Sequence, residues 1–249
     1  MSKSCKCHVI GLQQAQGVGR HRRGKMSAPT TRIRIWDRPV RLFHWGLILL
    51  VALSFGSGKS GAWTLHYLSG YAILTLVLFR ILWGFLGSEN ARFLHFLKSP
   101  LAAFRQLGRL TKRDSDTETS HNPAGGWMVV VLLALLLTQA FSGLFANHDP
   151  GFSYSQHGPL ALKVTEATSE SLSALHLAAQ RYLLLAIGLH VLAIMLYKLV
   201  KGHELVMPML TGEKLLPEGA KAPRLASGRL ALGLLVLAGA AVLVFIRLF

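Results

Sequence analysis

Five long apolar stretches constrain this chain more than any other feature: Val40–Gly56, Trp63–Phe85, Gly126–Ala146, Leu172–Leu199 and Arg229–Phe249. A hydrocarbon layer about 30 Å thick is crossed by roughly 20 helical residues, so each stretch reads as a membrane span. The first is short and interrupted by His44, and the fourth is long enough to extend beyond the bilayer. None shows the period-two alternation of an outer-membrane barrel strand. Only 15% of the 249 residues are charged and 51% are hydrophobic, against about 25% charged in soluble domains. The expected fold is all-α, a transmembrane helical bundle in a lipid bilayer.

The formal charge of +16 would suit nucleic acid on a soluble, basic-faced fold. Here the basic residues sit instead between the apolar runs. Ten precede the first span, six lie in residues 87–125, and six more, counting Lys198 and Arg229, surround the link between spans four and five. The alternate loops hold only Lys59 and Lys163. So 22 of the 27 basic residues fall on one side, which by the positive-inside rule puts the N-terminus in the cytoplasm and the C-terminus outside. Charge is thereby read as topology, and no nucleic-acid partner is expected.

Both cysteines fall in the first seven residues, which excludes a disulfide framework and a cysteine-rich metal site. Cys5-Lys6-Cys7-His8 lacks the C-x-x-C-H spacing of covalent haem attachment. Residues 1–32 read as a disordered basic segment in which Met26 looks a more natural start than Met1. A four-helix domain is expected over 33–215, then a linker and an additional membrane helix over 216–249. Between spans two and three, Ser99-Pro100 followed by Leu101, Phe104, Leu107 and Leu110 predicts a short helix on the membrane surface.

Four histidines lie inside the spans: His44, His66, His176 and His190. An ionisable side chain in a bilayer is costly and points to function. His44 is near the cytoplasmic start of span one, whereas His66 and His176 are near the outer ends of spans two and four. His190 lies 14 residues beyond His176, about 21 Å deeper and nearly four turns on, hence on nearly the same helix face. Depth therefore pairs His44 with His190 and His66 with His176. Pairing His44 with His66 would separate the two by most of the membrane. Two imidazoles across a bundle core, with no cysteine or carboxylate at hand, suit haem iron, whereas zinc wants four ligands or three and water. Without C-x-x-C-H the haems are expected to be non-covalent, b-type, one near each leaflet.

Arg80 follows His66 by 14 residues, which puts it at the depth of the inner pair, placed to meet a haem propionate there or to snorkel to the interface. Gly70, one turn after His66, leaves room for a porphyrin. His148 and His157 fall in an outer loop long enough to dock an external partner. His121, His203 and His95 lie at the inner face. His121 or His203 would suit a quinone or a propionate, but a solvated loop position is the plainer reading of each.

Trp36-Asp37-Arg38-Pro39-Val40-Arg41-Leu42-Phe43-His44-Trp45 resembles the opening of the bacterial cytochrome b561 and nickel-iron-hydrogenase b-type cytochrome family. His121-Asn122-Pro123-Ala124-Gly125-Gly126-Trp127, Gly202-His203-Glu204-Leu205-Val206 and Met209-Leu210-Thr211-Gly212 are similar to it as well. The resemblance covers roughly 33–215. It implies a four-helix bundle in the bacterial inner membrane holding two b haems, with His44, His66, His176 and His190 matching the axial ligands. Its members pass electrons between the quinone pool and a redox partner, such as a cytochrome c, a hydrogenase or another dehydrogenase subunit. Three competing readings stand beside this one. The first is a stand-alone quinone-linked oxidoreductase acting on a small external oxidant or reductant such as superoxide. The second is a haem-free transporter that uses histidines as a proton relay. The third is an anchor subunit whose haems are structural.

Overall fold

Helix starts in this chain are written by capping residues. The computed structural model describes residues 30–108, 118–147 and 157–249. Residues 1–29, with Cys5, Cys7 and His8, and the loop segment that contains His148 lie outside the described residues. Helix α1 (Arg38–Ser60) begins where the Asp37 carboxylate accepts the Val40 N–H at 2.7 Å. In the same way Asn122 caps α5 (Pro123–Gly143), Thr165 caps α6 (Glu166–Leu196) and Ser227 caps α8 (Gly228–Leu248). Each such cap contributes about 1 kcal/mol. Helix α2 (Trp63–Leu86) has no side-chain cap and follows α1 through Gly61, whose φ of +74° permits the tight reversal.

These five helices are long and apolar enough to cross a membrane. All match the expected spans, with α1 and α6 reaching several residues further. Helix α2 is the central element, packed against α1, α5 and α8, while α5 also packs along α6. Val77 and Trp83 of α2 are fully buried. Large side chains such as Leu42, Leu49, Leu185 and Leu232 face outward, as lipid contact requires. Between α2 and α5 stand two short helices, α3 (Phe93–Phe96) and α4 (Pro100–Leu107). Ser99 caps α4, which lies against α5 with Leu101 and Phe104 exposed.

The end of the bundle that carries most of the lysines and arginines is called the basic side below. There the chain after α6 makes a π-turn (Tyr197–Lys201), a short helix α7 (Val206–Thr211) and strand β2 (Glu213–Pro217). This strand pairs antiparallel with β1 (Thr30–Arg34). Residues 30–32, expected to be disordered, therefore begin a strand, and residues 216–217 of the expected linker end one. Ile33 and Leu216 are buried beneath the ribbon, and Arg34 meets Glu213 at 3.4 Å. The Gly212 carbonyl takes the N–H groups of both Ile35 and Trp36. At Gly212, with φ of +88°, a Cβ would stand 2.9 Å from the Trp36 carbonyl oxygen. The return segment thus closes onto the start of α1.

Helix α8 docks on α2 through Ala231, Leu234, Ala238 and Val242, a stripe at helical spacing. Its linker is latched to the turn after α2. Glu89 N–H donates to the Arg224 carbonyl, Arg224 N–H to the Glu89 carboxylate, and Ala226 N–H to Ser88 Oγ, each at 2.9 Å. The Arg224 N–H holds the Glu89 carboxyl below its ordinary value of 4.5. A depressed folded-state pKa stabilises above the unfolded value and is lost as pH falls through the folded one. The carboxylate's share of the latch should therefore be complete at neutral pH and be lost only below pH 4.5. In Glu89→Ala, hydrogen–deuterium exchange should rise across 218–227 and stay unchanged in α1. Unchanged exchange in the linker would show that the Glu89 carboxylate has no part in holding it.

Candidate functional site

Far from the basic side, two imidazoles face one another. His66, in the first turn of α2, and His176 of α6 have ring centroids 6.3 Å apart and planes crossing at 84°. Each ring is held by a backbone carbonyl of the neighbouring helix. His66 Nδ1 lies 2.8 Å from the Ser54 carbonyl oxygen of α1, and His176 Nδ1 lies 2.8 Å from that of Gln139 on α5. A carbonyl only accepts, so Nδ1 carries the proton in both rings and Nε2 keeps its lone pair. The Gln139 side-chain amide donates to His176 Nε2 at 3.0 Å, in keeping with that tautomer.

The two cradles are built alike. One turn after each accepting carbonyl stands a glycine beneath the ring. A Cβ at Gly58 would fall 2.9 Å from His66 Nδ1, and one at Gly143 would fall 2.8 Å from His176 Cε1. Before each glycine is a buried serine, Ser57 or Ser142, whose hydroxyl bonds back to a carbonyl of its own helix at 2.7 or 2.6 Å. Beside the rings opens a cavity of about 240 Å³, whose lining includes Lys59, Tyr67, Gly70, Gln139 and Gln180. Gly70 has nothing within 4 Å of where its Cβ would be, so the room expected there is present. The Tyr67 hydroxyl is sealed from solvent with no hydrogen-bond partner.

These residues fit a haem. A metal between two imidazoles needs ring centres roughly 6 Å apart, two bonds of about 2 Å plus the depth of each ring. Metal-ligating histidines characteristically donate the other N–H to a carbonyl or carboxylate, which fixes tautomer and orientation. Among the described residues no three side chains of His, Cys, Asp or Glu gather as a metal site. A zinc-type donor set is thus not found there.

On the basic side, His44 of α1 and His190 of α6 lie within electrostatic reach of each other. His44 Nδ1 is sealed from solvent without a partner. Arg80 is 3% exposed, donates to the Ala91 carbonyl at 3.2 Å and lies over the Phe93 ring. His121 is not the solvated loop residue that its position suggests. Its ring packs 4.8 Å from both Trp36 and Phe96, with Nδ1 sealed off and unpartnered. Burial first, then Arg80, His190 and His44, push its pKa down to about 3, so it is neutral at ordinary pH. By contrast, His203 packs on Tyr197, and His95 lies 3.9 Å from the Glu89 carboxylate.

The sequence singles out the four spanning histidines and Arg80 but not Gln139, Tyr67 or the two glycine cradles. The available signal was the pair Ser57-Gly58 and Ser142-Gly143, each near the far-side end of an apolar run. The model of the prokaryotic cytochrome b561 family matches residues 35–212, which take in α1, α2, α5 and α6 and end before α8. No curated protein and no solved structure matches the chain. This chain is therefore a multi-pass membrane protein of the prokaryotic cytochrome b561 family, whose work is electron transfer across a membrane through b-type haem.

Proposed function

We propose that the chain carries electrons between the quinone pool and a redox partner across the bacterial inner membrane through two b-type haems. His44 and His190 would hold one near the cytoplasmic face, and His66 and His176 the other near the periplasmic face. The observation that carries this reading is the far-side pair: opposed imidazoles at 6.3 Å, each with its proton fixed on Nδ1. The positive-inside distribution of lysine and arginine supports a cytoplasmic N-terminus and a periplasmic C-terminus. A haem held between two imidazoles would supply one-electron transfer rather than chemistry on a bound substrate.

The chain's own residues then have separable tasks. Ser54 and Gln139 hold the far-side imidazoles through their carbonyls, which fixes the proton on Nδ1 and makes Nε2 the acceptor nitrogen of each ring. The Gln139 amide, now on His176 Nε2, must turn aside when that nitrogen takes a metal. The Tyr67 hydroxyl and Lys59, both at the cavity wall, are donors for a propionate at that end. Arg80 is the cation for a propionate of the basic-side haem, a task its burial supports. Lipid-facing leucines keep water out of the bundle. Family membership sets aside the haem-free transporter.

Reduced-minus-oxidised spectra with haem stoichiometry test the pairing. His176→Ala should remove one of two haems and leave the basic-side haem, whereas His44→Ala should remove the other. Loss of the same haem in both variants would break the pairing by depth. Gly143→Val leaves all four histidines in place but puts a side chain where the His176 ring lies. It should cut occupancy of the far-side haem at least tenfold and leave the other at full occupancy. Normal occupancy of both would mean that the glycine cradle has no part in holding the ligand.

A further inference from the structure

The buried polar groups on the basic side do not satisfy one another. Arg80 has five N–H donors, yet among the described residues it makes one hydrogen bond to a carbonyl and no ion pair within 4.0 Å. Its nearest acidic neighbour, Asp37, already accepts the Val40 N–H through Oδ1 and the Trp83 indole N–H through Oδ2. A buried cation without a counter-charge is strongly unfavourable. Next to it stands His121, with a sealed and unpartnered Nδ1. Trp36 and Phe96 pack against its ring, and the neighbouring Asn122 is fixed as the cap of α5. The charged or titratable groups that act on His121 are Arg80, His190 and His44. Cation, orphan imidazole nitrogen and the basic-side histidine pair therefore converge on one place where, among the described residues, no carboxylate pairs directly with the cation.

We propose that His121 and Arg80 form a single carboxylate pocket, in which His121 Nδ1–H hydrogen-bonds a propionate of the basic-side haem. This rests on the two-haem reading given above. His121 is then a positioning residue: it orients the haem edge and sets the charge felt by the iron, without touching the metal. Clamped between fixed aromatic rings, it holds its donor in place before the haem arrives. The device differs from that on the far side, where the hydrogen-bonding Nδ1 groups belong to the ligating imidazoles.

The test uses full-length membrane protein carrying His121→Leu, which removes the donor, and His121→Asn, whose amide keeps a donor near the Nδ1 position. Both haems are titrated by potential, and infrared difference spectra are recorded in the carboxylate region. His121→Leu should keep both haems and leave the far-side potential unchanged, which also reports an intact fold. The basic-side haem should become harder to reduce, because its propionate loses a donor. The expected change is about tenfold in the equilibrium constant, about 59 mV for one electron, with a shifted carboxylate band. His121→Asn should restore most of both. In an Arg80→Gln background, the further effect of His121→Leu should shrink, because the two share one anion. An unchanged basic-side potential in His121→Leu would overturn the proposal. So would loss of the basic-side haem in His121→Asn as complete as in His44→Ala, which would make His121 a ligand. Absence of haem from the unsubstituted protein would overturn both this inference and the function on which it rests, and is thereby distinguishable from the other outcomes.

Discussion

The site depends on a bond between an imidazole N–H and a helix carbonyl that is already in use. In a membrane helix each carbonyl serves the N–H one turn later, so His66 and His176 are additional donors to the Ser54 and Gln139 carbonyls, which also take the Ser57 and Ser142 hydroxyls. Such sharing requires the ring to approach the helix backbone closely. A side chain one turn along would stand in the way, and at both positions that residue is glycine. A neutral hydrogen bond of this kind adds only about 1 kcal/mol to stability. Its larger effect is chemical: it settles which nitrogen carries the proton. Reactive nitrogen and helix packing are thereby set by the same contact, with no carboxylate needed in the apolar interior.

The basic side solves its problem differently. There the bundle end is closed by chain that is distant in sequence. Arg41 and Trp45 of α1 reach the Met209 carbonyl at 3.3 Å, and Asn90 ties the turn after α2 to the Ile35 and Thr119 carbonyls. Asp37 joins the cap of α1 to Trp83 of α2. This polar roof covers the bundle end where Arg80 is buried and His121 Nδ1 is sealed from solvent. The far side is thus held by helix against helix, and the basic side by loops folded across helix ends.

Much of this was legible in the sequence, for a physical reason. Helical rise and period are constants, so positions within apolar runs convert directly to depth and angle; the facing of His66 and His176 follows from that arithmetic. What could not be read depends on contacts between distant segments. Thr30–Arg34 becomes a strand only because Glu213–Pro217 lies beside it. The π-turn at Tyr197–Lys201 ends α6 differently from the regular helix that hydropathy suggests. His121 sits in a polar loop sequence, and Trp36 and Phe96, which pack on it, come from elsewhere in the chain. Helix α8 adds a fifth crossing outside the matched family region, and nothing before the fold shows that it would pack along α2.

Why one end receives two histidines from α2 and α6, and the other end a histidine and an arginine, follows from helix direction. Both helices run from the far side to the basic side. In each, the second functional residue follows the first by 14 residues: His66 to Arg80, and His176 to His190. That interval is close to four turns, so both residues of each helix point to nearly the same face at two matched depths. At the far depth both supply an imidazole. In the two-haem reading proposed above, at the basic depth α6 supplies His190, while α2 supplies a cation instead of a second ligand. The missing imidazole must then come from a helix that starts at that end, and α1 brings His44 in its second turn. In that reading a buried arginine and a third ligand-bearing helix are two consequences of one choice at position 80: a histidine there would leave α1 only its far-side task, holding His66 through the Ser54 carbonyl beside Gly58.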